Sequence, residues 1–415
     1  MTLRDIPKNL LWLTLTMVIA NTSTWMYMPF LPLYLKALGA SIPEVGLFYT
    51  LNAIIAICFR ILGGWISDNI GRLRAVAFGS FAGLLGMFGF ILAPTWEWVL
   101  LVAGVRQIGV SLVAPSFRAY TAENAPEGFM NSTFGLVQAL FLVCNVIGPI
   151  LGGLLIESMG FRAMFIIATV IFIVATAIRV WLARYETAER HPLGVGELVR
   201  DVRGLGAMFL SSSILLWIFL ADGLIDASRQ LERSFGPVYI TDVGGISEST
   251  YGLFVSVAAL AAALAMVPGG RFSDRFSERW GIVVGVFLQG AVWLMMTVAP
   301  VWAVFALMYG LAGVARAFFE PAFSALISKS VPRESLGMTW GVFMTVLSVL
   351  AVPAPYLGGL MYDYIAPQAT TVFIALIAWF VIPVALWKLY TPRQPAQVPA
   401  AHRRTSQTQP APGAD

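Results

Sequence analysis

Charge is scarce in this chain. Asp, Glu, Lys and Arg supply 12% of its 415 residues, against roughly a quarter in soluble domains, and with a mean hydropathy of +0.80 water cannot be its main solvent. Histidine is nearly absent. His191 and His402 fall in the charged centre and the tail, which excludes a histidine metal site or an intramembrane histidine relay. The only cysteines, Cys58 and Cys144, sit in apolar runs, where a thiol behaves as a small hydrophobe, so no disulfide framework is expected. Metal-ligand clusters, nucleotide loops and nucleophile–base pairs are also missing. Neither a cofactor, a metal nor an enzyme is expected, and any proton carrier must be a carboxylate.

What fills the chain instead is apolar runs of bilayer-crossing length, about 20 residues. Twelve are expected, near 8–34, 45–66, 75–93, 97–119, 132–157, 161–183, 207–238, 250–270, 280–299, 302–326, 337–361 and 369–389. The first is longer than a signal-peptide core and lacks a small-residue cleavage site. Lys and Arg collect in alternate connections, with Arg72, Arg74, Arg118, Arg184, Arg271, Arg275, Arg279, Lys329 and Lys388 on the side of the N-terminus and only Lys36 and Arg162 opposite. Positive residues mark the cytoplasmic face, so both termini are expected in the cytoplasm and the chain in the cell membrane. The net charge of +4 then reports topology, and no nucleic-acid partner is expected. The expected partners are the bilayer, a small-molecule substrate and protons, with the protein a monomer.

The second half repeats the first at a constant offset of 206 residues. Gly63-Gly64 with Ser67-Asp68 matches Gly269-Gly270 with Ser273-Asp274, and Pro115, Pro149 and Gly152-Gly153 match Pro321, Pro355 and Gly358-Gly359. Pro32 and Tyr34 match Pro237 and Tyr239 one register earlier. Six spans per copy is an even number, so the copies share polarity and relate by an axis along the membrane normal, which places substrate between them. The expected organisation is an all-α membrane protein with a six-helix bundle at 1–183, a linker at 184–206, a second bundle at 207–391 and a disordered tail at 392–415. The linker reads equally as an amphipathic surface helix or as a flexible connection.

Between the second and third runs stands Gly64-x-x-x-Asp68-Asn69-x-Gly71-Arg72-Leu73-Arg74. It resembles the signature loop of the major facilitator superfamily, with Asn69 and Leu73 replacing basic residues. The resemblance implies two six-helix bundles, alternating access, and a latch closing the cytoplasmic side in the outward-facing state; the second copy, Gly270, Asp274 and Arg275, favours a latch over simple positive-inside anchors. Gly148-Pro149-x-x-Gly152-Gly153 looks like the core of the antiporter motif in drug-efflux branches of that family, with Cys144 at the usual upstream glycine. Proline and glycines suit a pivot. Arg106 with Gln107 and Gly109 partly matches another motif of the family, in which the arginine would assist proton transfer; a structural role against the first span is the other reading.

The seventh run carries Asp222, Asp226, Arg229 and Arg233 within about 60° of one another at 100° per residue. Lipid would not tolerate that stripe, so it should meet a central cavity, while Glu232 points elsewhere. Asp226 pairs naturally with Arg229, leaving Asp222 with the weakest compensation and making it the first candidate proton carrier; a self-neutralising ladder is the alternative. Arg316 and Glu320 sit one turn apart in the tenth run, able to pair with each other, and Glu320 could also reach Arg106. Asn21, Trp25 and Gln107 complete the candidate cavity lining with Arg229 and Arg316.

The expected function is proton-coupled export of hydrophobic or amphipathic small molecules. Its alternatives are proton-coupled uptake of a sugar, organic acid or other metabolite, and a receptor or scaffold that has lost transport.

Overall fold

The computed structural model describes residues 7–126, 129–185, 213–298, 301–330 and 349–389, apart from a few side chains that include those of residues 60–65, 68 and 69. Among them the chain is helical, without strands, and eight helices are long and apolar enough to cross a membrane. The α-helices of the described residues are, in order, α1 (Lys8–Tyr27), α2 (Leu31–Ala37), α3 (Ile42–Ile70), α4 (Arg72–Leu92), α5 (Trp96–Asn124), α6 (Met130–Leu182), α7 (Ser213–Asp242), α8 (Glu248–Phe276), α9 (Glu278–Val298), α10 (Trp302–Ser330), α11 (Ala354–Tyr364) and α12 (Pro367–Lys388). The linker and tail, with both histidines, lie outside the described residues.

The helices depart from the apolar runs for identifiable reasons. The run expected at 8–34 is interrupted by a 3-10 turn, Met28–Phe30, because Pro29 and Pro32 cannot donate to the helical ladder. Runs 132–157 and 161–183 join in α6, whose 53 residues would reach about 80 Å as a straight helix. It is not straight. Gly160 takes φ +81°, and the neighbours of α1 show the chain doubling back there. Val18 and Met26 of α1 meet Cys144 and Gly152 in rising order, whereas Thr16 and Ser23 meet Arg179 and Ala168 in falling order.

The repeat governs packing as well as sequence. Any Cβ on Gly46 of α3 would overlap the Pro355 carbonyl of α11, and one on Gly252 of α8 would overlap the Pro149 carbonyl of α6. Thr50 Oγ1 donates to the Val352 carbonyl at 2.9 Å, and Ser256 Oγ donates to the Val146 carbonyl at 2.6 Å. Each contact and its copy are 206 residues apart on both sides. The two halves therefore meet through one arrangement used twice, α3 on α11 and α8 on α6.

All these contacts lie at the end where α3 and α8 begin. Lys36 and Asp242 pair across the halves there at 2.5 Å, within one residue of equivalence, and one apolar core joins Phe30, Tyr34 and Phe48 to Phe235, Tyr251 and Phe254. At the other end, where Arg72, Arg271, Arg275, Arg279 and Lys329 gather, the core divides. Leu10, Leu13, Leu73 and Phe117 form one cluster in the first half, and Ile218, Ile282, Phe323 and Val381 form another in the second. Among the described residues the halves share one core at one end and pack separately at the basic end.

Candidate functional site

Between the shared core and the two separate ones lies a layer of charge. The apolar side of α7, including Ala221, Ile225, Leu231 and Phe235, is buried, which fixes the rotation of the helix and sets the acidic and basic stripe toward α10. Arg229 Nη2 lies 3.6 Å from Asp226 Oδ1 and its Nη1 lies 3.2 Å from Glu320 Oε1. Arg316 Nε reaches the same Glu320 oxygen at 3.2 Å. Gln230 Nε2 donates to the second Asp226 oxygen at 3.1 Å. Four charges thus form a chain, Asp226 to Arg229 to Glu320 to Arg316, tying α7 to α10.

Asp222 stands apart from it. The residue is 8% exposed, and among the described residues its carboxyl has no hydrogen bond or ion pair. The Arg229 Nε–H is also buried without an acceptor, so the network has unspent capacity on the α7 face. A carboxyl buried without an ion pair at membrane depth is suited to taking up and releasing a proton.

The first half contributes Arg106 from α5. Its Nη2 donates to Thr24 Oγ1 at 3.4 Å and its guanidinium lies over the Tyr27 ring, 5.5 Å from the centroid. Glu320, which could have paired with Arg106, is taken by Arg229 and Arg316. Asn21, Trp25 and Gln107 are half-buried. Trp25 also packs against Gly148, so it serves the α1–α6 seam.

The pivot segment packs on two sides. Gly148 and Gly152 meet Trp25 and Met26 of α1, while Gly153 meets Glu248 and Ser249 of α8, with the Pro149 carbonyl against Gly252. In the signature loop the surroundings of Gly64 and the side chain of Asp68 lie outside the described set. Gly71 adopts φ +96° at the turn, and Arg72 binds Glu123 at 3.2 Å and Ser67 Oγ at 3.1 Å. In the second copy Gly270 faces open space, Asp274 is exposed and Arg275 lies 5.6 Å over the Phe276 ring. Lys329 pairs with Glu278. This is the Arg72–Glu123 pair repeated 206 residues on with both signs exchanged.

Arg179 escaped the sequence reading. It is 2% exposed and bonds Thr16 Oγ1 at 3.1 Å, Ser80 Oγ at 2.8 Å and the Thr16 carbonyl at 3.2 Å. Near the end of an apolar run an arginine reads as an interfacial anchor, so only Thr16 and Ser80, distant in sequence, could have signalled a buried site.

The family model described as Major Facilitator Superfamily matches residues 13–228 and 224–412. The chain belongs to that superfamily. As a member of the major facilitator superfamily it is a multi-pass membrane protein and a secondary transporter, not an enzyme. It is 26% identical over 376 residues to a multi-drug resistance efflux pump PmrA homolog of Lactococcus lactis, covering 88% of this chain and 90% of the relative. It is 23% identical over 390 residues to a Na(+), Li(+), K(+)/H(+) antiporter of Planococcus maritimus, covering 87% of each. Its fold matches the crystal structure of a bacterial homolog to the human lysosomal transporter Spinster, in inward-facing and unoccupied conformation, with TM-score 0.76 and 16% identity, over 92% of this chain and 96% of the other.

Proposed function

We propose that this superfamily member exports hydrophobic or amphipathic small molecules in exchange for protons, through twelve spans arranged as two six-helix halves that rock about the charged layer. Both termini then lie in the cytoplasm, the basic end faces it, and the conformation described is inward-open. The observation that carries this reading is the divided core at the basic end set against a single core at the other. A charged layer containing Asp222, which has no ion pair among the described residues, lies between them. Alternating access needs such an arrangement, with one end sealed, the other parted, and the coupling groups at the point where the halves turn. The efflux and antiport activities named for the relatives of known description support the direction of transport and an ion as driving partner.

Asp222 takes the proton-carrying role and Asp226, Glu320 and Arg106 the supporting ones in this scheme. The test uses inside-out vesicles with an acid interior, a pH-reporting dye and a panel of lipophilic cations and metabolites, with wild type beside Asp222→Asn. Dissipation of the gradient by a compound in wild type and not in the variant is the expected result. An unaffected variant moves the carrier to another carboxyl, and a panel that never moves protons removes the antiport reading for those compounds.

A further inference from the structure

Glu232 of α7, like Asp222, stands outside the charged chain. Glu232 turns toward α9, where Gln289 Nε2 donates to its Oε2 at 2.9 Å. Gln289 is 4% exposed, and its own carbonyl oxygen, Oε1, is buried with no donor among the described residues. An acceptor left without a donor costs its full desolvation, and here it is held beside a carboxyl group. Turning the carboxamide over does not help, because the amide oxygen would then face the carboxylate and the NH2 would take the orphaned place. A proton on Glu232 resolves both. The carboxyl O–H donates to Gln289 Oε1, the amide N–H already donates to the other carboxyl oxygen, and the two side chains close a two-bond acid–carboxamide ring.

Among the described residues the surroundings supply Glu232 no salt bridge, although three arginines lie around it. The charged and titratable groups facing it are Arg316 and Tyr309 from α10, Arg229 and Arg233 from α7, and Tyr251 from α8. Arg229 and Arg316 are held by Glu320, and among the described residues Glu232 has no ion pair. Nor is the pair part of the repeated scaffold, because the equivalent positions of the first half hold Tyr27 and Gly83, without acid or amide.

We propose that Glu232 is a second proton-binding site of this transporter, holding its proton in a closed pair with Gln289 in the conformation described. On release, the proton leaves the carboxyl oxygen, the ring opens, and the carboxylate competes with Glu320 for Arg229 and Arg316. Proton binding at α7 and the α7–α10 ion pairs are coupled in this way. The inference does not depend on export or on the nature of the cargo.

The experiment is infrared difference spectroscopy between acid and alkaline buffer on the full chain in phosphatidylcholine vesicles, without any substrate. Wild type should show, beside the C=O stretch of Asp222, a second and lower-frequency C=O stretch from a protonated carboxyl hydrogen-bonded to an amide. That band should be absent from Glu232→Gln, move to higher frequency in Gln289→Leu as the partner is lost, and persist in Asp222→Asn. Persistence in Glu232→Gln, or loss in Asp222→Asn alone, overturns the proposal. Should Glu232→Gln fail to fold, an unmoved band in Gln289→Leu overturns it by itself.

Discussion

Single residues mark where the duplicated halves have diverged. Gly71 and Ser277 occupy the same turn, at φ +96° and φ +140°, yet only the first is glycine, so the second half carries backbone strain of about 1–3 kcal/mol. Ser277→Gly should raise the melting temperature of the detergent-solubilised protein, and Gly71→Ala should lower it; equal melting of all three would show the turn to be unstrained. Arg179 sets the opposite expectation. Removing the Ser80 hydroxyl leaves a buried guanidinium N–H without its acceptor, so Ser80→Ala should cost roughly 1.5–3 kcal/mol, read as a lower melting temperature. The stripe of Asp222, Asp226, Arg229 and Arg233 was legible because it depends only on helical periodicity. The approach of Glu232 to Gln289 was not, since periodicity says which way a side chain leaves its helix and nothing about what the next helix brings to meet it.

At the scale of the helices, glycine positions separate into packed and open ones. A side chain on Gly152 would overlap the Met26 carbonyl, whereas one on Gly270 meets no described atom within 4 Å. Gly152→Val should therefore force α1 and α6 apart and prevent accumulation of folded protein in the membrane, measured by fluorescence-detected size exclusion. Gly270→Ala should fold and melt as wild type does. If it nonetheless slows transport, the open space at Gly270 is filled in another conformation, which is what a latch at the basic end requires. The apolar runs overlap these helices where the residues are described, most of the run at 337–361 lying outside them, but they miss the helix ends. α3, α5, α8 and α10 continue past the apolar stretch with polar turns such as Thr121–Asn124, where backbone hydrogen bonding carries on after hydrophobicity has stopped. The reversal at Gly160 was read as a gap between spans, and the chain makes it within one residue because a glycine can take a positive φ there.

For the whole molecule, the contacts joining the halves at one end predict how motion can be stopped. Lys36→Cys with Asp242→Cys should form a disulfide under mild oxidation and abolish transport reversibly, since the sealed end could no longer part; transport that survives complete crosslinking would exclude rocking about the charged layer. The 206-residue repeat was visible in sequence. That the repeat extends to individual hydrogen bonds, Thr50 to Val352 and Ser256 to Val146, became visible only in three dimensions, because each joins residues far apart in the chain.

The seam between the halves is an isologous interface of the kind that holds two-fold dimers together, folded into one polypeptide. Near its axis, self-complementarity becomes a liability. Two copies of the first half would set Lys36 against Lys36, and two copies of the second would set Asp242 against Asp242. Only the unlike pair attracts. The Lys36–Asp242 contact thus discriminates partners as well as sealing the end, favouring union of a first half with a second over assembly of either with its own kind, and making the two halves a matched pair that separately synthesised fragments would still select.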